Sequence, residues 1–167
     1  MALLRFYWLV EGELAGCSRP GGESGGRNQE KDADPPALAS DLAWLHEQGI
    51  SAILSLTETP LDEATLSTYG LRSLHLPVRD LTPPTPEQFL TALEFIDRQR
   101  TQGHAVAVHC LMGQGRTGSI LAAYLIRNGM SPVEALHELR IICPGAVENP
   151  AQEQALCAFA ARRDWII

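Results

Sequence analysis

Positive charge is scarce in this sequence, paired cysteines are missing, and no apolar run is long enough to cross a bilayer. Thirteen Lys and Arg stand against 20 Asp and Glu, a formal charge of -7. Such a chain repels a nucleic-acid backbone and an anionic membrane surface, so neither is expected as a partner, and any anion it handles must be captured locally. The four cysteines, at 17, 110, 143 and 157, fall outside CxxC spacing, which suggests neither a zinc site nor a disulfide scaffold. No metal and no cofactor are expected, and Cys143 and Cys157, in helical segments, are read as core thiols. The apolar stretch Met1 to Val10 is broken by Arg5, is followed by no small-residue cleavage site and is too short to span a membrane. It reads as an edge strand of a soluble, cytoplasmic protein, expected to be monomeric. With 167 residues, 45% of them hydrophobic, the chain can bury one substantial core, so residues 1–167 are read as a single domain.

What is present is an alternation of strand and helix signals. Phe6 to Val10 and Glu13 to Gly16 read as two strands around a turn at Glu11-Gly12. Ser18 to Pro36 is dominated by Gly, Pro and charge, and predicts a flexible surface insertion. Leu38, Leu42 and Leu45 recur at helical spacing up to Gly49; strands are expected at 52–56 and 71–76, with a weaker helix near 61–68 between them. A proline-rich loop, Pro77 to Pro86, surrounds Asp80, and Phe89, Leu93 and Ile96 give the next helix one apolar face. His104 to His109 forms a strand, and helices follow near 117–127, 132–142 and 150–163. This pattern predicts an α/β domain with a mainly parallel, twisted central sheet flanked by helices.

The chemistry is concentrated in His109-Cys110-Leu111-Met112-Gly113-Gln114-Gly115-Arg116-Thr117-Gly118-Ser119, set between a strand and a helix. There, free backbone N–H groups and the positive end of a helix dipole point into one crevice that suits an anion. Gly113, Gly115 and Gly118 permit positive φ and close approach of backbone to ligand, so residues Leu111 to Gly115 form a cradle of donors. The same surroundings favour a thiolate, making Cys110 a nucleophile. Arg116 offers a planar fork for two phosphate oxygens. The Thr117 hydroxyl could bond the sulfur and ease its departure, while His109 is read as structural support for the backbone around Cys110.

Two other motifs overlap this stretch. Gly113-x-Gly115-x-x-Gly118 matches a dinucleotide-binding fingerprint, but that unit needs further strands after its helix and only helices are expected here. A Walker-type loop fails because Ser119 stands where Lys is required. Reading Cys110 as a core thiol and Arg116 as a helix-start surface residue leaves the strand and the three glycines unexplained.

The run His109-Cys110-x5-Arg116-Thr117-Gly118 resembles the signature of the protein tyrosine and dual-specificity phosphatase superfamily. Further pieces, Glu13 to Gly16, Ile53 to Glu58, Asp80 to Pro84 and Arg140 to Glu148, resemble its small atypical dual-specificity members. The resemblance implies the cysteine-phosphatase fold, with the phosphate loop between a strand and a helix. It also implies hydrolysis of phosphotyrosine foremost in a phosphorylated protein or peptide, and leaves open whether phosphoserine and phosphothreonine are accepted. By the same resemblance Asp80 is the acid that protonates the leaving oxygen, a role the chemistry demands of some residue. Glu148 and Gln152 match positions near the pocket wall and could orient a water. The long 18–36 segment and Val78-Arg79 before Asp80 depart from the relatives and bear on substrate choice. A phosphoinositide or RNA 5′-phosphatase with the same nucleophile, or a phosphate-binding interaction module, are the alternatives.

Overall fold

The computed structural model describes residues 3–22 and 34–162. Five strands, β1 (Phe6–Val10), β2 (Leu14–Cys17), β3 (Ile50–Ser55), β4 (Arg72–His75) and β5 (Ala105–His109), form one sheet in the order β1-β2-β5-β3-β4. β2 and β3 flank β5 in parallel, β4 runs parallel to β3, and only the β1–β2 hairpin is antiparallel. Parallel strands need crossovers, and the chain supplies them as helices: α1 (Pro35–Glu47), α2 (Glu63–Thr68) and α3 (Pro86–Thr101). After β5 come α4 (Gly115–Arg127), α5 (Pro132–Ile142) and α6 (Pro150–Ala161), with no further strand among the described residues. The dinucleotide-binding reading therefore lacks the strands it requires.

Side chains of a strand alternate between faces, and here that alternation builds two cores. Ala105 and Ala107 of β5 join Leu38, Leu42 and Leu45 of α1 on one side. Val106 and Val108 join Phe89, Leu93 and Ile96 of α3 and Ile120, Leu121 and Tyr124 of α4 on the other. β5 is buried along its whole length, so whatever its C-terminal end carries is rigidly held.

Two sequence expectations need correction. Residues 18–36 are not one surface loop: Ser18 and Arg19 are buried, the Gly21 amide donates to the buried Asp41 carboxylate at 2.6 Å, and Pro35 already opens α1. Asp34 caps α1, and proline suits the first helical turn, where its missing N–H is no loss. Residues 23–33 of that expected insertion lie outside the described residues. Cys143 is buried as expected, whereas Cys157 is exposed, and all four cysteines are free thiols. No helix among the described residues is long and apolar enough to cross a membrane.

Candidate active site

At its C-terminal end β5 delivers His109 and Cys110 to the edge of the sheet, and the chain turns through residues 110–114 into α4. The helix begins at Gly115, two residues earlier than the sequence pattern suggests, so Arg116 lies in its first turn. Asp34, Asp62, Thr85, Ser131 and Asn149 cap the other helices with their side chains, but α4 has no side-chain cap. Its first N–H groups, and the positive end of its dipole, are left for something else.

The loop carbonyls show where its amides face. Leu111 O accepts from the Arg19 amide at 3.0 Å, Met112 O from Arg5 Nη1 at 2.6 Å and Gly113 O from the Tyr7 hydroxyl at 2.8 Å. Gln114 O accepts from the amides of both Gly118 and Val147 at 3.0 Å. All peptide bonds described are trans, and in a trans peptide the N–H points opposite to the C=O. Holding these carbonyls outward therefore turns the amides of Met112, Gly113, Gln114 and Gly115 toward the inside of the loop. None of those amides donates a hydrogen bond among the described residues. Donors left in this state, on a partly buried loop, are free to take an acceptor from outside.

Sequence inspection missed the groups that do the holding. Arg5 and Tyr7 read only as strand residues, yet they meet the loop from more than a hundred positions away. A signal existed in Gly16, because a Cβ there would lie 2.4 Å from the Tyr7 ring: the glycine makes room for the tyrosine. Gly113 is required twice over. Its φ is +74°, and a Cβ would come within 2.7 Å of the Cys17 backbone.

Cys110 and Arg116 are 2% and 1% exposed, so the thiol and the guanidinium both lie below the surface. Arg116 Nη1 donates to Val78 O at 2.9 Å, and Nη2 lies 3.3 Å from Asp80 Oδ1. Asp80, on the loop between β4 and α3, keeps a quarter of its side chain exposed. Its Oδ1 also accepts from the Leu81 amide at 2.9 Å, which leaves Oδ2 without a described partner. Leu81 has φ +65°, a left-handed conformation that costs a non-glycine residue about 1–3 kcal/mol. Asn149 Nδ2 donates to Leu81 O at 2.8 Å.

Glu148 and Gln152 come to the same place from the far end of the chain. Arg140 holds the approach, with Nε on Ala146 O at 2.9 Å and Nη2 on Val147 O at 3.0 Å. A Cβ on Gly115 would lie 2.6 Å from Glu148 Oε1 and 2.9 Å from Gln152 Nε2, so both side chains sit against the start of α4. Gln152 is fully buried, its Oε1 accepting from the Glu148 amide at 2.7 Å. Thr117 is also fully buried, but its hydroxyl bonds no described residue. The bond to the Cys110 sulfur expected from the sequence is therefore not formed in this structure.

His109 is held at both ring nitrogens. Fully buried, its ring nitrogen Nδ1 lies 3.2 Å from Cys110 O and Nε2 lies 2.7 Å from Ser55 Oγ. Burial, and behind it the positive charge of Arg19 and Arg116, push its pKa down to about 3. In the neutral ring a carbonyl can only accept, so Nδ1 carries the hydrogen and Nε2 accepts from Ser55. This pairing has a pH signature. An unfolded histidine takes up a proton as pH falls below its ordinary value near 6.5, while the folded one does not until about 3. The stability it contributes is thus complete above about pH 6.5 and is lost as pH falls. Urea unfolding is expected to show roughly 2 kcal/mol less stability at pH 5 than at pH 7 from this residue alone. In His109→Asn that increment disappears; an unchanged slope refutes the assignment.

Comparisons with known proteins give the family of the chain. A family model described as the DSP-PTPase phosphatase of polymorphic toxin systems matches residues 29–130, which include Asp80, the 110–116 loop and the whole of α4. The tyrosine-protein phosphatase cdc-14 of Caenorhabditis elegans is 29% identical over 150 residues, covering 88% of this chain and 20% of that protein. The phosphatidylglycerophosphate phosphatase PTPMT1 of Arabidopsis thaliana is 30% identical over 125 residues, covering 72% of this chain and 37% of that protein. The chain thus spans well under half the length of these two relatives. Among solved structures, Tk-PTP in the active form superposes with a TM-score of 0.76 at 28% identity, covering 90% of this chain and 93% of the other. With more than half of its length matched by the family model, and with this fold around the Cys110 loop, the chain belongs to the dual-specificity and tyrosine phosphatase family.

Proposed function

We propose that the protein hydrolyses phosphomonoesters on proteins, phosphotyrosine foremost, in two steps through a cysteinyl-phosphate. The observation that carries this reading is the loop itself, whose carbonyls are tied outward so that its amides converge where an oxyanion would sit. In the first step the Cys110 thiolate attacks phosphorus, the bond from phosphorus to the ester oxygen breaks, and Asp80 gives its proton to the departing oxygen. In the second, a water attacks phosphorus, Asp80 takes its proton back, and inorganic phosphate leaves as the thiolate is restored. The loop amides and Arg116 stabilise the charge on the transferring group in both steps. Gln152 and Glu148, against the start of α4, orient the water, and the unengaged Thr117 hydroxyl is a spare donor for the sulfur as it departs.

One observation favours a second reading. The Arabidopsis relative is named for a phospholipid substrate. Against a polyanionic lipid or RNA substrate here, residues 111–115 contain no Lys or Arg and the chain carries a charge of -7. A panel of phosphotyrosine peptide, phosphoserine peptide, phosphatidylglycerophosphate and triphosphorylated RNA decides. The peptide esters are expected to be hydrolysed fastest; preferential turnover of lipid or RNA overturns the substrate assignment, and tight phosphopeptide binding without turnover makes the chain an interaction module.

The acid has its own signature. Asp80→Asn is expected to lower kcat on a phosphotyrosine peptide about 10²-fold, because the tyrosine oxygen leaves poorly without a proton. The loss should be much smaller with p-nitrophenyl phosphate, whose phenolate leaves readily. Equal losses on both substrates would falsify the role given to Asp80.

A further inference from the structure

Asn149 sits outside every motif that pointed to the site, yet both ends of its side-chain amide are used. Its Oδ1 accepts from the Gln152 amide at 3.0 Å, which caps α6, and its Nδ2 donates to Leu81 O at 2.8 Å. The orientation is not arbitrary, since a backbone N–H can only donate and a carbonyl can only accept. Asn, Asp and Ser cap helices about equally well, so capping alone gives no reason for asparagine. The donor does.

Leu81 O is the carbonyl of the residue directly after the acid. The left-handed turn at Leu81 presents that carbonyl to α6 while its amide binds Asp80 Oδ1. A leucine half-exposed at φ +65° persists only where surrounding contacts determine it. The other described bond from α6 to this loop, Gln152 Nε2 to Thr82 O, is stretched to 3.5 Å, the outer limit for such a bond. The opposite end of the loop is tied independently, by the Val78 amide on Leu56 O and by Arg116 Nη1 on Val78 O. Asp80 is therefore suspended between an anchor at Val78 and an anchor at Leu81.

We propose that Asn149 is a positioning residue for proton donation: it locks the acid loop to the start of α6 and thereby keeps the Asp80 carboxyl beside Arg116. This rests on the phosphatase reading above and deepens it by naming the residue through which the acid is aimed.

The test is Asn149→Asp. The carboxylate still caps α6, and its charge suits a helix N-terminus, but it cannot donate to Leu81 O and repels it. The melting temperature is expected to stay at or above that of the parent, while kcat on phosphotyrosine peptide falls about tenfold and kcat on p-nitrophenyl phosphate changes less than threefold. In an Asp80→Asn background the same substitution should cost nothing further, because there is no acid left to aim. Asn149→Ser, whose short hydroxyl caps the helix without reaching Leu81, is expected to reproduce the pattern and serves should the aspartate variant fold poorly. Parent-like peptide turnover in both variants, an equal loss on both substrates, or a full additional loss in the Asp80→Asn background each overturns the proposal. An inactive parent enzyme instead defeats the phosphatase reading itself, so the two failures are distinguishable.

Discussion

Replacing Cys110 by Ser is expected to reduce p-nitrophenyl phosphate turnover by at least ~10⁴-fold, equivalent to about 5 kcal/mol of lost transition-state stabilisation. A serine hydroxyl is smaller than the thiol and stays protonated at neutral pH, so it is a far weaker nucleophile. The loop amides are backbone groups and survive the substitution, as do the contacts of Arg116 with Val78 O and Asp80. The variant should therefore still bind a phosphotyrosine peptide with an affinity within a few-fold of the parent, the behaviour of a site that has lost its nucleophile and kept its cradle. Activity comparable to the parent, measured on protein free of contaminating phosphatase, refutes a covalent intermediate on Cys110. Loss of both turnover and binding would instead mean that the thiol shapes the loop.

The second large effect is expected at Arg116. Its side chain is almost wholly buried, with Nη1 spent on Val78 O and Nη2 3.3 Å from Asp80. Lysine preserves the charge but offers a single ammonium on a shorter reach, so it cannot hold the Val78 carbonyl and face two phosphate oxygens at once. Arg116→Lys should lower kcat by about 10³-fold, or roughly 4 kcal/mol, with a smaller change in KM. That split is diagnostic, because charge spreads over the equatorial oxygens most fully in the transition state, where a planar fork serves best. A change confined to KM would assign Arg116 to ground-state binding alone. Since the same guanidinium supports the acid loop, Arg116→Lys and Asp80→Asn should combine non-additively.

The central unit of the fold was readable because its constraints are local. β5 is a short apolar run between punctuation marks, Gly113 answers a positive φ, and α4 follows with an apolar face. Spacing singles out Cys110, Arg116 and the loop glycines and resemblance singles out Asp80, which the structure brings to 3.3 Å from Arg116. What escaped was set by contacts between distant positions. Ser18 to Gly21 looks like the opening of a polar loop, but the Arg19 amide is needed behind Leu111 and Asp41 reaches back to Gly21, so the segment is drawn inward. Arg5, Tyr7 and Asn149 each bind a backbone carbonyl, and a carbonyl accepts from any donor, so no residue-type pattern records such a partnership. The Thr117 hydroxyl shows the converse limit: the motif suggests that it reaches the sulfur, and among the described residues it makes no bond.

The support that Arg5 and Tyr7 give to Met112 and Gly113 also bears on when the 110–116 loop takes its shape. Those bonds join positions separated by 107 and 106 residues, and closing so large a loop precedes any reward from the contact. A nascent chain that has released β5 from the ribosome but not yet seated its first strand lacks the bonds that turn these two carbonyls outward. On the proposed mechanism, turnover is then expected only of molecules that have finished folding.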